Sequence, residues 1–278
     1  MTVVTETAPA KLNLALHVRR RRPDGYHDLE TVFVFARDGD TIALTPAERL
    51  SLRIDGPFAA GLDAGGDNLV TRAASAFAAA FGTDPGVAIT LTKRLPIASG
   101  IGGGSADAAA TLRALARLHG IDQASARLHE VAAMLGADVP ACLYGRACFG
   151  TGRGDALTPL AGLGDMPALL VNPGVGVSTA AVFAGWDGID RGALGQGDGL
   201  ARALAGRNDL QPAAEAVAPV IGSLVAMLAA RPGVVLARMS GSGATCFALF
   251  RDVVARDDAD AAIAKAAPDW WRLRTTIA

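Results

Sequence analysis

The fold of this chain is decided by the stretch Leu95-Pro-Ile-Ala-Ser-Gly-Ile-Gly-Gly-Gly-Ser-Ala106. Apolar residues alternate with polar ones over residues 87–92, directly before it, and this pattern predicts a β-strand. The apolar residues that follow recur at helical spacing and predict a helix that ends at Gly120: Ala108, Leu112, Leu115 and Leu118. The stretch is therefore a glycine-rich connection between a strand and the N-terminus of a helix.

A connection of this kind suits a bound polyphosphate. Glycines let the backbone approach an anion closely, and the N–H groups at a helix N-terminus attract negative charge together with the helix dipole. The stretch is not a Walker A loop, which ends in Gly-Lys-Ser/Thr, and the Rossmann glycine spacing fails at Ser105. We predict a phosphate site outside these two motifs, and a purely structural glycine turn is the alternative.

A lysine lies inside a strand pattern near the N-terminus. Apolar residues alternate along residues 11–18, which predicts a half-buried strand with Lys11 and Asn13 on the same face. The chain has only three lysines among its 26 basic residues. Lys11 is therefore a candidate for chemistry that needs a compact positive charge. A solvated lysine on an exposed strand face is the alternative.

One aspartate is surrounded by small and apolar residues. Asp138 lies in the segment Gly136-Ala-Asp-Val-Pro140. Partial burial would favour proton uptake by its carboxylate, which makes Asp138 the best candidate for a general base. A helix N-cap or turn aspartate is the alternative.

The remaining patterns indicate the α+β class. Strands are predicted over residues 31–35, 41–44, 50–54, 142–149, 168–171, 234–239, 246–250 and 270–277. Helices are predicted over residues 68–81, 124–135, 210–228 and 258–266, with another starting near residue 178. At 278 residues the chain is long enough for two domains, which we expect to span residues 1–154 and 155–278.

Charge and cysteine content limit the expected partners. The 26 basic and 27 acidic side chains give a net charge of -1, so no global field favours nucleic acid or an anionic membrane surface. We therefore expect a small-molecule partner, no nucleic acid and no membrane. The three cysteines form no CxxC motif, which indicates buried thiols in a reducing cytoplasm. No signal-peptide pattern opens the chain.

A second glycine segment, Met239-Ser-Gly-Ser-Gly-Ala-Thr245, completes a set of motifs. The set includes the glycine-rich stretch, Ala10-Lys-Leu-Asn-Leu14, Arg22-Pro-Asp-Gly-Tyr-His27 and the segment around Asp138. With these motifs the sequence resembles the GHMP kinases, which include galactokinase, homoserine kinase, mevalonate kinase and phosphomevalonate kinase. The resemblance covers nearly the whole chain. It implies an N-terminal ATP-binding domain and a C-terminal ferredoxin-like domain, with the active site between them.

The motifs look most like one branch of that family. The resemblance implies an ATP-dependent kinase that phosphorylates the 2-hydroxyl of a methylerythritol linked to cytidine diphosphate, in the non-mevalonate isoprenoid pathway. Another GHMP kinase, acting on homoserine or mevalonate, is one alternative, although neither of those substrates carries a base that Tyr26 and His27 could bind. A nucleotide-binding protein without turnover is the other, and it would have no use for Lys11 together with Asp138.

The resemblance also implies roles for particular residues. Lys11 and Asp138 would act together on the substrate hydroxyl. ATP would be bound by Pro96, Ile97, Ala98, Ser99, Gly100, Ile101, Gly102, Gly103, Gly104, Ser105 and Ala106. The second glycine segment would support this loop. The substrate would be bound by Asn13, Tyr26, His27, Thr179 and Phe183, with Tyr26 stacking on the base and His27 recognising it.

Other expectations concern the metal, the oligomeric state and a basic run. Mg²⁺ is expected with ATP, held mainly by the nucleotide phosphates. Ser105 is a candidate ligand for Mg²⁺ or phosphate, and no acidic residue is assigned as a ligand to the metal. The protein is expected to be a monomer or a weak homodimer. The four arginines at residues 19–22 are expected to form a solvated loop, with assistance to the substrate diphosphate as the alternative.

Overall fold

The computed structural model describes residues 3–65, 67–84, 86–161 and 163–277. Contacts between Cα atoms divide the chain into two compact units, each built from several segments. Unit 1 comprises the N-terminal segment through Ala10, Asp38–Ile97 and Gly102–Gly145. Unit 2 comprises Lys11–Arg37, Ala98–Ile101 and the segment from Arg146 onward. The predicted domain boundary at residue 154 stays a prediction, since compact units are a different kind of division.

Strands and helices both run through the whole chain. The strands are β1 (Val4–Arg21), β2 (His27–Pro46), β3 (Ser51–Asp55), β4 (Val87–Thr92), β5 (Cys148–Gly152), β6 (Ala156–Pro159), β7 (Met166–Asn172), β8 (Val234–Met239), β9 (Cys246–Phe250) and β10 (Trp271–Ile277). The helices are α1 (Leu69–Phe81), α2 (Gly103–Leu118), α3 (Ala126–Leu135), α4 (Val139–Tyr144), α5 (Thr179–Ala184), α6 (Gly199–Ala205), α7 (Gln211–Val217), α8 (Val220–Ala229) and α9 (Val253–Ala266).

Unit 1 contains helices α1 to α4 and a small sheet built on the second half of β2. That half of β2 pairs antiparallel with β4, from Thr41 opposite Thr92 to Pro46 opposite Val87, and β4 pairs parallel with β3. Helix α2 packs against α1, α3 and α4 through a face of small buried residues, mostly alanines. Small side chains allow close helix contacts, so the alanines of α2 form part of the core of this unit.

Unit 2 contains a four-stranded antiparallel sheet in the order β10-β7-β9-β8. Helical segments connect β7 to β8, β8 and β9 are adjacent, and α9 leads to β10, so the chain follows the β-α-β-β-α-β order of a ferredoxin-like fold. Its core includes Val171, Leu224, Phe250 and Ile263. The first half of β2 pairs with β5, which forms a hairpin with β6. The α+β class and the ferredoxin-like region are therefore confirmed.

Several predicted elements are confirmed closely. Helix α1 begins after Asn68, whose side chain accepts a hydrogen bond from the Val70 N–H, and ends at Gly82 with φ of 63°. Strands β3, β4, β7, β8, β9 and β10 lie where the sequence predicts strands. The three cysteine side chains are buried as expected.

Four predictions of local structure are wrong. Residues 142–149 do not form one strand, because Pro140 opens helix α4 and Gly145 ends it before β5 starts. Residues 210–228 form two helices, α7 and α8, since Pro219 lacks an N–H to continue the first. The two strands expected over 31–44 are the single strand β2. Strand β1 continues through Arg21, and its residues 11–18 are buried on both faces.

Within the part of the chain that the structure describes, no helix is long and apolar enough to cross a bilayer.

Candidate active site

Residues 98–101 of the glycine-rich stretch lie in unit 2, against the second glycine segment. The Ser240 hydroxyl donates to the Gly100 carbonyl oxygen at 3.0 Å, and the Thr245 N–H donates to the Ser99 carbonyl oxygen at 3.1 Å. A Cβ on Gly100 would lie 2.5 Å from the Ser240 carbonyl oxygen, and its φ is +77°, so only glycine fits there. The two glycine segments are thus in contact, as expected if the second supports the first.

Residues 102–106 lie in unit 1 and start helix α2. Gly102 is the N-cap, with φ of 65°, and Gly103, Gly104 and Ser105 form the first turn. The N–H groups of a first helical turn have no acceptor within the helix, and the dipole places partial positive charge there. Gly104 is exposed and Ser105 is half-buried. This turn has the backbone donors and the lack of side-chain bulk that a phosphate group requires.

Lys11 is buried in a polar network of unit 2. Lys11 is only 4% exposed, and its Nζ donates to Asn13 Oδ1 at 3.0 Å. Nζ also lies 4.9 Å from the ring centroid of Phe33, which is a cation–π contact. Asn13 Nδ2 in turn donates to Thr31 Oγ1 at 2.8 Å. The prediction that Lys11 and Asn13 share a face is confirmed, and a solvated surface lysine is excluded.

The Asn13 amide is engaged at both ends in this network. Its oxygen accepts from Lys11 and its nitrogen donates to Thr31, while its backbone N–H donates to Ser240 Oγ at 3.2 Å. These contacts orient Lys11, and a contact of Asn13 with substrate stays a prediction. Burial raises the pKa of the nearby Cys148 thiol to about 12, although the Lys11 charge acts in the opposite direction. Cys148 is therefore an uncharged thiol at neutral pH.

Asp138 lies in unit 1, at the N-cap position of α4. Its side chain makes no capping hydrogen bond, although its backbone precedes the first turn of that helix. The residue is half-buried, and Val139 and Pro140 behind it are buried. The carboxylate is thus placed at a helix start without serving as its cap, and its role as a base stays a prediction.

Aromatic rings meet at the end of the β1–β2 hairpin in unit 2. The His27 ring centroid lies 5.0 Å from that of Phe183, and 5.6 Å from that of Trp186 in an edge-on arrangement. Burial lowers the pKa of His27, and the Arg21 charge adds to this effect. Tyr26 is 54% exposed. The Arg153 guanidinium carbon lies over its ring, 5.2 Å from the ring centroid.

The structure thus brings together two of the predicted substrate residues, His27 and Phe183, and adds Trp186 to them. Thr179 lies at the first position of α5, where its hydroxyl is 3.0 Å from Ser242 Oγ. This contact links α5 to the second glycine segment. Trp186 lies just beyond the end of α5, and its backbone N–H donates to the Phe183 carbonyl oxygen at 3.3 Å.

The arginine run at residues 19–22 is an ion-paired edge of the same hairpin. Arg19 donates to Glu30 Oε1 at 2.7 Å and to both Asp190 oxygens at 3.0 Å. Arg20 pairs with Asp28, and Arg22 pairs with Asp24 and Asp28. The expected loop is wrong for residues 19–21, which belong to strand β1, while the expected exposure to solvent is confirmed for Arg20 and Arg21.

A cluster of three buried charges in unit 1 was not predicted. Lys93 Nζ donates to Asp40 Oδ2 at 2.5 Å and to Asp107 Oδ2 at 2.7 Å. The sequence contained a signal for this cluster, since Lys93 is one of only three lysines and lies two residues before the glycine-rich stretch. Among the residues described, no group of three His, Cys, Asp or Glu side chains is placed to hold a metal ion.

Two family models match the chain. The GHMP kinases N terminal domain matches residues 68–146, and the GHMP kinases C terminal domain matches residues 190–272. These ranges contain the first turn of α2, Asp138 and the second glycine segment.

The chain is similar to proteins named 4-diphosphocytidyl-2-C-methyl-D-erythritol kinase. The one from Rhizorhabdus wittichii is 56% identical over 98% of this chain and 94% of its own length. The one from Sphingopyxis alaskensis is 52% identical over 96% of this chain and 95% of its own length.

Solved structures give the same result. A crystal structure of 4-(cytidine 5'-diphospho)-2C-methyl-D-erythritol kinase superposes with a TM-score of 0.78 at 35% identity, covering 98% of both chains. A homoserine kinase from Cytophaga hutchinsonii superposes with a TM-score of 0.76 at 19% identity, covering 99% of this chain and 94% of its own. The latter similarity concerns the fold alone. The chain therefore belongs to the GHMP kinase family, and its motifs, its fold and its relatives agree on this membership.

Proposed function

We propose that this protein is the ATP-dependent kinase that phosphorylates the 2-hydroxyl of 4-diphosphocytidyl-2-C-methyl-D-erythritol, giving the 2-phosphate and ADP. This reaction is a step of the non-mevalonate isoprenoid pathway. One observation of the structure favours this acceptor over those of other GHMP kinases. It is the contact between His27 and Phe183, because a paired imidazole and phenyl ring suits a substrate with a nucleobase. Homoserine and mevalonate carry no base.

The chemistry assigned to the chain is proton removal and charge stabilisation. The acceptor hydroxyl oxygen forms a bond to the γ-phosphorus while the bond to the ADP oxygen breaks, and the hydroxyl proton must leave. Asp138 takes this proton in our proposal, since a half-buried carboxylate is a competent base. Lys11 supplies a compact positive charge to the hydroxyl and the transferred phosphoryl group.

Residues 96–106 of the glycine-rich stretch hold the ATP phosphates in the proposal. Its support is the first turn of α2, whose backbone N–H groups lie beside glycines rather than bulky side chains. Bound ATP supplies the phosphoryl group, and Mg²⁺ held mainly by its phosphates would neutralise part of their charge.

The substrate base is assigned to Tyr26, His27 and Phe183, and we add Trp186 on account of its edge-on contact with His27. Thr179 completes the substrate residues, together with Asn13. The Arg153 guanidinium lies over the Tyr26 ring, so in the proposal Tyr26 stacks on the base with the opposite face of its ring.

The cellular setting is part of the proposal. We place the protein in the cytoplasm, as a monomer or a weak homodimer. Three buried cysteines support a reducing compartment.

The proposed function is tested by measuring ADP release in a coupled assay. The acceptors are 4-diphosphocytidyl-2-C-methyl-D-erythritol, homoserine, mevalonate, and 2-C-methyl-D-erythritol 4-phosphate as a control that lacks the cytidylyl group. We expect release with the first acceptor and about 10²-fold lower kcat/KM with the control, because its base contacts are missing. Release with homoserine or mevalonate alone would assign another GHMP activity. No release with any acceptor would contradict a kinase function.

A further inference from the structure

Unit 1 contains an ionic cluster that the proposed chemistry does not use. The Lys93 cluster consists of Lys93, Asp40 and Asp107, whose side chains are 3%, 0% and 4% exposed. The Lys93 ammonium lies between the two carboxylates, at 2.5 Å from Asp40 Oδ2 and 2.7 Å from Asp107 Oδ2. Asp40 Oδ1 accepts the backbone N–H groups of Arg94 and Leu95. Asp40 therefore fixes both the ammonium and the chain that enters the glycine-rich stretch.

The Lys93 cluster lies against the first turn of α2. A Cβ on Gly103 would lie 3.0 Å from Lys93 Nζ and 4.0 Å from Asp40 Oδ2. Asp107 belongs to the same helix, four residues further on. The ammonium is thus held at the start of the helix whose N–H groups are proposed to receive the ATP phosphates. The absence of a side chain at Gly103 permits this approach.

Helix stability does not account for a cation at this position. The N-terminus of a helix carries partial positive charge, so an ammonium there opposes the dipole. Buried ion pairs also contribute little net stability, because desolvation offsets their attraction. The two carboxylates offset the ammonium charge at a distance, but Lys93 Nζ lies closer to the Gly103 position than Asp40 Oδ2 does, so the ammonium raises the positive potential that an anion meets at close range there. The position of Lys93 therefore suits phosphate binding better than it suits folding.

The hydrogen bonding of the Lys93 cluster is incomplete. Asp107 Oδ1 is buried and has no hydrogen-bond partner among the described residues. Burial raises the pKa of Asp107, while the Lys93 charge opposes this effect and the Asp40 charge adds to it. Native structures leave few buried polar atoms unpaired, because an unpaired buried oxygen destabilises the fold. The unpaired Asp107 oxygen therefore points to a functional reason for the cluster.

We propose that Lys93 is a positioning residue for ATP: held by Asp40 and Asp107 against Gly103, its ammonium fixes the first turn of α2 and strengthens its attraction for the phosphates. The proposal rests on the proposed role of the glycine-rich stretch in ATP binding. It does not depend on the identity of the acceptor.

The sharpest test is the double variant Lys93→Met/Asp107→Asn. Well above pH 7, where Asp107 is ionised, the wild-type cluster has one cation and two carboxylates, and the variant retains only the Asp40 carboxylate. The formal charge of the cluster is then -1 in both, so the binding measurements are made in this pH range. Asp40 keeps its two backbone N–H donors. A change in ATP binding then reports the arrangement of charge rather than its sum.

The measurements are calorimetric affinity for a non-hydrolysable ATP analogue with Mg²⁺, KM for ATP, and kcat. We expect analogue affinity to fall and KM for ATP to rise by about 10-fold, with kcat and KM for the acceptor changed by less than about 3-fold. The calorimetry needs no acceptor, so a wrong acceptor assignment leaves this test intact. Unchanged analogue affinity in a folded double variant would overturn the proposal.

Two further variants serve as a control and as a substitute for the double variant. Lys265→Met makes the same chemical change at an exposed residue in the last turn of α9, and we expect wild-type analogue affinity. An equal loss in Lys265→Met would overturn the proposal, because the loss would then follow the chain's overall charge. If the double variant does not fold, the triple variant Lys93→Met/Asp40→Asn/Asp107→Asn removes every charge of the cluster. Wild-type affinity in the folded triple variant would equally overturn it.

Discussion

The two buried lysines of this protein, Lys11 in unit 2 and Lys93 in unit 1, lie in polar surroundings of different kinds. Lys93 lies between two carboxylates, which come from 53 and 14 residues away in the sequence. Lys11 contacts the amide oxygen of Asn13, two residues away, and the face of Phe33. Lys93 is held by carboxylates that are distant in the sequence. Lys11 is oriented by side chains of its own strand and of the facing strand.

This difference separates two uses of a buried ammonium. Carboxylates at 2.5 and 2.7 Å fix Lys93 inside the folded unit, so its loss is expected to affect stability and the adjacent helix. Lys11 is oriented by a network that ends in Thr31 and Ser240, and its proposed role is in the chemical step. Substitution at the two positions therefore distinguishes turnover from folding and ATP binding.

The largest expected effect is on turnover, from Lys11→Met and Asp138→Asn. Removing a group that acts on the transferred proton lowers kcat by about 10²- to 10⁴-fold while ATP binding stays nearly intact. If both residues act on the same hydroxyl, the double variant loses little more than either single variant. Steady-state kinetics of the three variants measure this. Full activity of Asp138→Asn would make Asp138 structural, and multiplicative losses would assign the two residues to separate steps.

A smaller effect, on stability, is expected from Lys93→Met alone. The substitution leaves two buried carboxylates without their cation, which costs about 3–5 kcal/mol in the free energy of unfolding. Adding Asp107→Asn restores part of this loss, because one of the two uncompensated charges is removed. Urea denaturation measures both, with Lys265→Met expected within about 0.5 kcal/mol of wild type as the exposed control. Equal stability of Lys93→Met and wild type would show that the cluster does not hold the unit together.

The smallest effect is a pH dependence of stability. Burial raises the pKa of Asp107 to about 7, from a usual value of 3.8. Between these values the folded state binds more protons than the unfolded state, so the Asp107 contribution to stability declines as the pH rises through this range.

Asp107→Asn lacks this titration. The stability difference between variant and wild type should therefore shift in favour of the variant from pH 5 to pH 7, by up to about 1.4 kcal/mol per pH unit, and level off at higher pH. Urea denaturation at several pH values, with Lys265→Met in parallel, measures this slope. Parallel curves for Asp107→Asn and wild type would show that Asp107 stays ionised over the range.

Local patterns predicted much of the fold because they report local physics. Asn68 and Gly82 are capping residues, and the helix between them begins and ends where they place it. Alternation over residues 87–92 predicted β4, and the residues of that strand are alternately buried and half-buried. The wrong predictions occur where a single proline overrides the pattern formed by its neighbours. Pro140 starts a helix inside an apolar segment that otherwise resembles a strand, and Pro219 divides a continuous helical pattern.

The candidate site likewise contains some contacts that local patterns predict and others that they do not. Lys11 and Asn13 were placed on one face by strand periodicity alone, and they are in contact. The contact of Ser240 with Gly100 joins segments 140 residues apart, and it was expected only because the sequence resembles a known family. The pairing of His27 with Trp186 was missed, since no local pattern links the hairpin to the end of α5.

By itself, the sequence determined the elements, the glycine-rich connection to α2, the family and the candidate reacting groups, because periodicity, capping and glycine content act over a few residues. Only the tertiary structure decided that Lys11 is buried, that carboxylates bind most of the arginine run, and that Lys93 lies between Asp40 and Asp107 beside Gly103. The reason is physical: burial and the pairing of charges depend on segments that are distant in the chain and meet only when it folds.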